Sequence, residues 1–321
     1  KKLSNKYQYF TECDHSTFDA HVTVEMLKLT HDFYISCYQS HESHLRKLAN
    51  RTLKNKCKTR NGDRYQVEGT RMSGDVDTSL GNSLINYAIL KECLKIHNIR
   101  GDVIVNGDDS IIFSVKPIPK SFVETLRKFN METVIKPSTN SIHQVEFCRS
   151  KLVVNNQGTH TMMFDPGRLI KIFGMTYRNI KSYQRYLIEA ILCFASINKS
   201  SCVGQFWFKI YQKLQKKLKI YQNVKIDDIP YLEFKNIDPN ILRLVAKNAR
   251  LKACGDEITS SNLEAYPKIG HYFNKINQYI IRISTFIEKY PIAISTQAIR
   301  DHGKVTRTMM IHHDSKTLAM Y

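Results

Sequence analysis

Two carboxylates stand side by side at Asp108-Asp109, directly after Gly107, between the apolar runs Val103-Ile104-Val105 and Ile111-Ile112-Phe113-Ser114-Val115. Adjacent acids repel, and such a pair is costly unless a cation neutralises it. A third carboxylate, Asp14, closes the aromatic-rich run YQYFTECD at residues 7–14. Carboxylates converging at strand ends can hold two Mg²⁺ ions, hard cations that prefer oxygen ligands. Two ions about 4 Å apart suit in-line nucleotidyl transfer, one activating the attacking 3′-hydroxyl and the other holding the triphosphate and its leaving group. Each fragment also has a bland reading, since Gly and Asp form solvated turns and a strand-end Asp can cap one.

A second pattern, S-G-x-x-x-T-x-x-x-N, runs from Ser73-Gly74 through Thr78 to Asn82. Thr78 and Asn82 are four apart, hence on one helix face, and both can hydrogen-bond a sugar hydroxyl or an acidic neighbour. Ser73-Gly74 supplies a mobile loop ahead of them. The competing explanation is a capping box with incidental polar residues.

Positioning these groups needs a mixed α+β arrangement. Residues 7–14 read as a strand ending at Asp14. Residues 22–38 read as a helix with an apolar face of Val22, Met26, Leu29, Phe33 and Cys37. The polar, basic stretch 39–60 leads to an Asn61-Gly62 hairpin turn and a return strand at 64–67, an inserted and exposed subregion. A helix over 77–97 follows, its apolar face Leu80, Leu84, Tyr87, Leu90 and Leu94, with Asp75 and Asp77 where carboxylates favour helix initiation. The Gly107-Asp108-Asp109 hairpin comes next, then a helix over 121–130 and an extended stretch to Lys136. Residues 144–154 read as one strand of a hairpin turning near 155–158. From Gly167 the pattern is mainly helical, with breaks at Pro230, Pro239 and Pro267.

The chain has 321 residues, 42% hydrophobic and 24% charged, which fits two or three globular domains and excludes disorder, collagen and coiled coil. No run approaches the roughly 20 apolar residues of a membrane span, and no secretory core opens the chain. The 8 Cys form no C-x-x-C pair and no zinc-type spacing, so they read as reduced thiols. The net charge of +19 is uneven: 22 Lys plus Arg face 17 Asp plus Glu in residues 1–150, and 26 face 12 in residues 151–321. Such an excess suits a polyanion, nucleic acid ahead of membrane, or equally a composition kept for solubility.

These motifs together resemble the RNA-directed RNA polymerases of positive-strand RNA viruses, more narrowly the tombusvirus and carmovirus-like group. CDHSTFDAHV (13–22) is similar to motif A, EGTRMSGDVDTSLGNSL (68–84) to motif B and VNGDDSIIF (105–113) to motif C. FNMETVIK (129–136) and VEFCRSKLV (145–153) are looser matches to motifs D and E. The resemblance implies a right-hand polymerase: a palm of antiparallel sheet backed by helices (1–40 and 71–155), a fingers insertion (41–70) and a mainly helical thumb (156–321).

It further implies that Asp14, Asp108 and Asp109 bind two Mg²⁺ ions, for which Mn²⁺ can substitute, and that Asp19 senses the ribose 2′-hydroxyl with Thr78 and Asn82. Ser73 and Gly74 would form the loop that moves as template and nucleotide enter. Lys136 would protonate the pyrophosphate leaving group, and Phe147, Cys148 and Arg149 would lie near the product 3′ end. The implied partners are RNA template and product, ribonucleoside triphosphates and a viral or host replication co-factor protein. The implied location is the host cytoplasm, at membrane-associated replication complexes reached through other segments or partners. Asp77 departs from the Asn of close members of the group. Motif A begins so near the first residue that the upstream fingers are expected to be missing, and a fragment of that kind would be weakly active or inactive alone. The rival readings are a non-catalytic RNA-binding protein with a palm-like fold, and a reverse transcriptase, which Asp19, Asn82 and G-D-D disfavour.

Overall fold

Burial alternates along residues 11–15 of the first strand, whose two faces meet different environments, and the rest of the first unit is arranged on those faces. The computed structural model describes residues 2–173, 183–218, 257–278, 281, 282 and 285, and the chain divides into two units, Lys1–Cys148 and Arg149–Tyr321. The first unit runs α1 (Lys2–Lys6), β1 (Tyr9–His15), α2 (Phe18–His21), α3 (Val24–Cys37), α4 (Glu42–Asn50), β2 (Lys54–Lys58), β3 (Arg64–Glu68), α5 (Thr78–Ile96), β4 (Gly101–Asn106), β5 (Asp109–Ser114), α6 (Ser121–Lys128), β6 (Thr133–Ile135) and β7 (Glu146–Phe147).

Strands β4-β5-β1-β6 form an antiparallel sheet in that order. Because side chains alternate across a strand, Cys13, Val103 and Ile112 face one side. There they share a core with Ile85, Ile89, Leu90 and Cys93 of α5, Phe122 and Leu126 of α6, and Leu27 of α3. Each such aliphatic or aromatic side chain contributes roughly 1.5–3 kcal/mol relative to exposure. The opposite face carries Phe10, Ile111 and Phe113, which pack with Tyr7 and Val145. Glu12, Asp14 and Asp109 share the parity of that second face.

The buried stripes of the two long helices match the expected ones only in part. In α3 the inward residues are Leu27, Thr30, His31 and Ile35, whereas Leu29 and Phe33 are exposed. The Thr30 hydroxyl is satisfied by the Leu27 carbonyl at 2.8 Å, so a polar residue sits inside without cost to the core. In α5 Gly81, Asn82, Asn86, Leu90 and Leu94 point inward while Leu80 and Tyr87 are exposed. Asp77 occupies the N-cap position of α5 without a capping hydrogen bond, its carboxylate being engaged elsewhere. The inserted basic region contains the short helix α4 as well as the β2–β3 ribbon, whose turn places Gly62 at φ +100°.

Residues 144–154 are not one strand. Residues 142–144 form a 3₁₀ turn, β7 follows, and the chain then bends at Cys148 and Arg149, both at positive φ. The second unit begins with β8 (Ser150–Val154) and β9 (His160–Phe164), paired antiparallel, with Gly158 at φ +74° in the turn between them. Then come α7 (Pro166–Ile172), α8 (Tyr183–Ile197), α9 (Cys202–Leu218), α10 (Ser260–Ala265) and α11 (Ile269–Asn274). Pro267 lies in the break between α10 and α11, as expected; Pro230 and Pro239 are outside the described residues. This unit has its own core, in which the rings of Phe173, Phe194 and Phe206 surround Trp207 at 5.6, 5.0 and 5.5 Å between centroids. Among the described residues every cysteine is a free thiol and no helix is long and apolar enough to cross a membrane; Cys254 is outside them.

Candidate active site

Strand register builds the site. Cys13 of β1 lies opposite Ser110 of β5, so the next residue, Asp14, is level with Asp109 and, by the alternation of side chains, on the same face. Asn106 pairs with Asp109 across a two-residue loop of Gly107 and Asp108, and Gly107 takes φ +64° at the first loop position, where such hairpins need glycine. Asp14 and Asp108 both lie within electrostatic reach of His15, and Asp108 and Asp109 within that of Cys148. Two distant stretches of acid therefore meet at one end of the sheet.

Helix α5 holds the loop from behind. The Ser83 hydroxyl accepts from the Gly107 N–H at 2.8 Å, and Asn86 Nδ2 donates to the Gly107 and Asp108 carbonyls at 3.0 and 3.1 Å. His15 Nε2 is 3.1 Å from Asn86 Oδ1, and its Nδ1 is 2.8 Å from the Thr133 hydroxyl. With Asn86 Nδ2 already donating, Oδ1 accepts, so His15 carries a proton on Nε2. Burial holds the His15 imidazole below its ordinary 6.5.

Asp19, on α2, receives two donors. Asn82 Nδ2 donates to its Oδ1 at 2.6 Å and Ser73 Oγ donates to its Oδ2. Thr78 is not brought to Asp19: its hydroxyl lies 2.9 and 2.8 Å from the Met72 and Asp75 carbonyls and fastens the loop that carries Ser73 and Gly74. Gly74 is exposed in that loop with open space around it. Asp19, Ser73, Thr78, Asn82, Gly107 and Asp108 line one cavity of about 450 Å³, within the usual size range for small-molecule sites.

Lys136 is turned to Glu12. Its Nζ pairs with Glu12 Oε2, its backbone N–H donates to the Glu12 carbonyl at 3.1 Å, and the Glu12 carboxylate raises the ammonium above its ordinary 10.5. The other Glu12 oxygen accepts from the Glu146 N–H at 2.7 Å. Asp14 is close enough to Lys136 to interact electrostatically. Phe147 packs beside the Tyr7–Phe113 cluster, and Cys148 Sγ accepts from Asn106 Nδ2 at 3.1 Å.

Among the described residues no group of three or more His, Cys, Asp or Glu side chains is placed to hold a metal ion. The donor set is of another kind. Asp14, Asp108 and Asp109 are exposed, and the carboxylates of Asp14 and Asp108 make no hydrogen bond or ion pair with the described residues. Open oxygen donors of this sort fit Mg²⁺, which is commonly held by one or two carboxylates together with waters and substrate phosphates.

Sequence reasoning missed the supports: His15, Ser83, Asn86, Glu12 and Arg71. Asn82 and Asn86 are four apart on α5, and that spacing was the available signal. For Arg71 there was none, because its burial depends on tertiary packing.

A family profile described as "Viral RNA dependent RNA polymerase" matches residues 6–257. The chain is 31% identical over 209 residues to an RNA-directed RNA polymerase of Melon necrotic spot virus, covering 61% of the chain and 26% of that protein. It is 29% identical over 213 residues to one of Tobacco necrosis virus (strain A), covering 63% and 29%, and 33% identical over 167 residues to one of Turnip crinkle virus, covering 49% and 21%. The chain thus spans about a quarter of the length of the curated relatives it matches.

Proposed function

The chain belongs to the viral RNA-dependent RNA polymerase family, and from that premise we propose that it supplies the catalytic sheet of an enzyme making RNA on an RNA template for viral genome replication. The observation that carries this reading is the register that puts Asp14 level with Asp109 beside the Gly107-Asp108 loop, next to a cavity that also holds Asp19 and Asn82. In it, Asp14, Asp108 and Asp109 hold divalent ions, two Mg²⁺ with Mn²⁺ able to substitute. When bound, these supply a nucleophilic 3′-oxygen and charge neutralisation at the triphosphate.

The protein's own groups do the rest. Asn82 Nδ2 and the Asp19 carboxylate offer one donor and one acceptor, the complement of a 2′-hydroxyl, which is itself donor and acceptor. Ser73 and Gly74 lie on the loop that admits the nucleotide, and Thr78 limits how far that loop opens. Lys136, held protonated on Glu12, is stationed one strand away from Asp14. To act as general acid on pyrophosphate it must leave Glu12, which makes it the conditional member of the set.

In this reading residues 1–40 and 71–155 are palm, 41–70 part of the fingers and 156–321 thumb, whose excess of Lys and Arg contacts phosphates of template and product. Replication in the host cytoplasm at membrane-associated complexes, with a viral or host co-factor protein, follows from the same reading. The test is primer extension by the longer polymerase that contains this chain. Asp14→Ala and Asp108→Ala should each lower synthesis by about three orders of magnitude or more. Synthesis near the parental rate in either variant would remove the enzymatic reading.

A further inference from the structure

We propose that Arg71 is a positioning residue for ribose recognition, a buried guanidinium that fixes which end of the Asn82 amide faces Asp19. The proposal rests on the reading of Asp19 and Asn82 as the sugar-sensing pair. Arg71 is 2% exposed and lies just ahead of the Ser73-Gly74 loop. Three of its groups are committed. Its backbone N–H donates to the Asp19 carbonyl at 2.8 Å, its Nε donates to Asn82 Oδ1 at 3.2 Å, and its Nη1 donates to Asp77 Oδ2 at 2.5 Å. The Tyr34 hydroxyl also donates to Asp77 Oδ2, at 3.3 Å, and burial pushes that phenol up to about 12, so it stays a donor.

The chemistry of these partners leaves one orientation. A guanidinium only donates and a carboxylate only accepts, whereas an amide side chain has one end of each kind. Asn82 lies between the two, so its oxygen must face Arg71 and its NH₂ must face Asp19. Asp19 is partly exposed and would be drawn to an incoming sugar hydroxyl. Arg71 is enclosed, so the amide keeps its donor turned into the cavity even while Asp19 changes partner. The Arg71 N–H anchors the backbone of Asp19 as well, so one residue sets both halves of the pair.

The arrangement is costly, and the cost argues for a use. Arg71 Nη2 is buried with no hydrogen-bond partner among the described residues, and a buried charge with an unsatisfied donor destabilises a fold. Helix α5 also gives up a side chain to admit it. A Cβ at position 81 would lie 2.3 Å from Arg71 Nη2 and 2.9 Å from its Cζ, which only Gly81 allows, although glycine weakens a helix interior.

The experiment measures kcat/KM for a ribonucleoside triphosphate and for its 2′-deoxy counterpart in the full-length polymerase, comparing parent, Asp19→Ala, Arg71→Lys and Gly81→Ala. Lysine lacks the Nε–H that Asn82 uses. Alanine at 81 improves helix propensity yet displaces the guanidinium, so Gly81→Ala keeps the question open to measurement should Arg71→Lys not fold. Both variants should cut the ribo-over-deoxyribo ratio by about tenfold, through the ribonucleotide arm alone. A purely structural role would lower both arms together and leave the ratio intact. An unchanged ratio in Gly81→Ala, with Asp19→Ala lowering it, overturns the role of Arg71 alone. An unchanged ratio in Asp19→Ala itself overturns the sugar-sensing reading and the proposal with it.

Discussion

Both units bury polar side chains, but they use them differently. In the first, buried polar groups bond to one another across elements: His15 to Asn86 and Thr133, Arg71 to Asn82 and Asp77, Asn82 to Asp19. In the second, the described ones mainly serve the backbone. Asn198 accepts from the Phe164 N–H and donates to the Phe194 carbonyl, Asn155 Oδ1 accepts from two amides of its turn, and Ser261 and Thr259 bond the backbone of Val154. Side-chain networks cost stability when any member fails but hold charged groups at set angles; backbone caps only close the ends of elements. The difference marks where precision is needed, at the sheet end that carries the acids, and where packing suffices.

The largest effect expected is on packing. Trp207→Ala, in the aromatic core of the second unit, should cost about 3–5 kcal/mol by thermal unfolding followed by circular dichroism. A loss under about 1 kcal/mol would mean that this core is not what holds the unit.

The matched pair Asn86→Ala and Asn198→Ala sharpens the contrast further. Each leaves buried partners unsatisfied and should cost roughly 1–3 kcal/mol. Below its melting temperature, however, only Asn86→Ala should slow RNA synthesis, because only Asn86 holds the carbonyls of the Gly107-Asp108 loop. Equal kinetic loss from both would erase the proposed division between the units.

The smallest effect concerns pH. Burial holds His15 and His31 below their ordinary 6.5. The unfolded chain therefore takes up these protons first as pH falls, so the stabilising contribution is complete above about 6.5 and is lost as pH drops through the lower folded-state values. The unfolding midpoint of the first unit should fall between pH 7 and 5, and His15→Gln should flatten part of that slope. A slope identical in the variant would free His15 of that role.

The same contrast explains what was legible in the sequence. The acidic loop, the strand ending at Asp14 and the Asn61-Gly62 turn are local chemistry: glycines at φ +64° and +100° stand where the turns demand them. Helix faces were harder. Periodicity assigns Leu29 and Phe33, or Leu80 and Tyr87, to the interior, yet they are exposed while Thr30, His31, Asn82 and Asn86 are buried. In α5 the network that buries Asn82 and Asn86 displaces the apolar stripe, so the mis-phasing of that helix is itself a sign of the site. The bend at Cys148 and Arg149 was invisible for another reason, since neither residue type favours positive φ.

The central claim, that Asp14 and Asp108 belong to one divalent-cation site, is tested most directly by Mn²⁺ binding. Electron paramagnetic resonance of the full-length polymerase, with RNA and a ribonucleoside triphosphate present, should find that Asp14→Asn and Asp108→Asn each weaken Mn²⁺ binding by about tenfold or more. Parental Mn²⁺ affinity in both variants would contradict it.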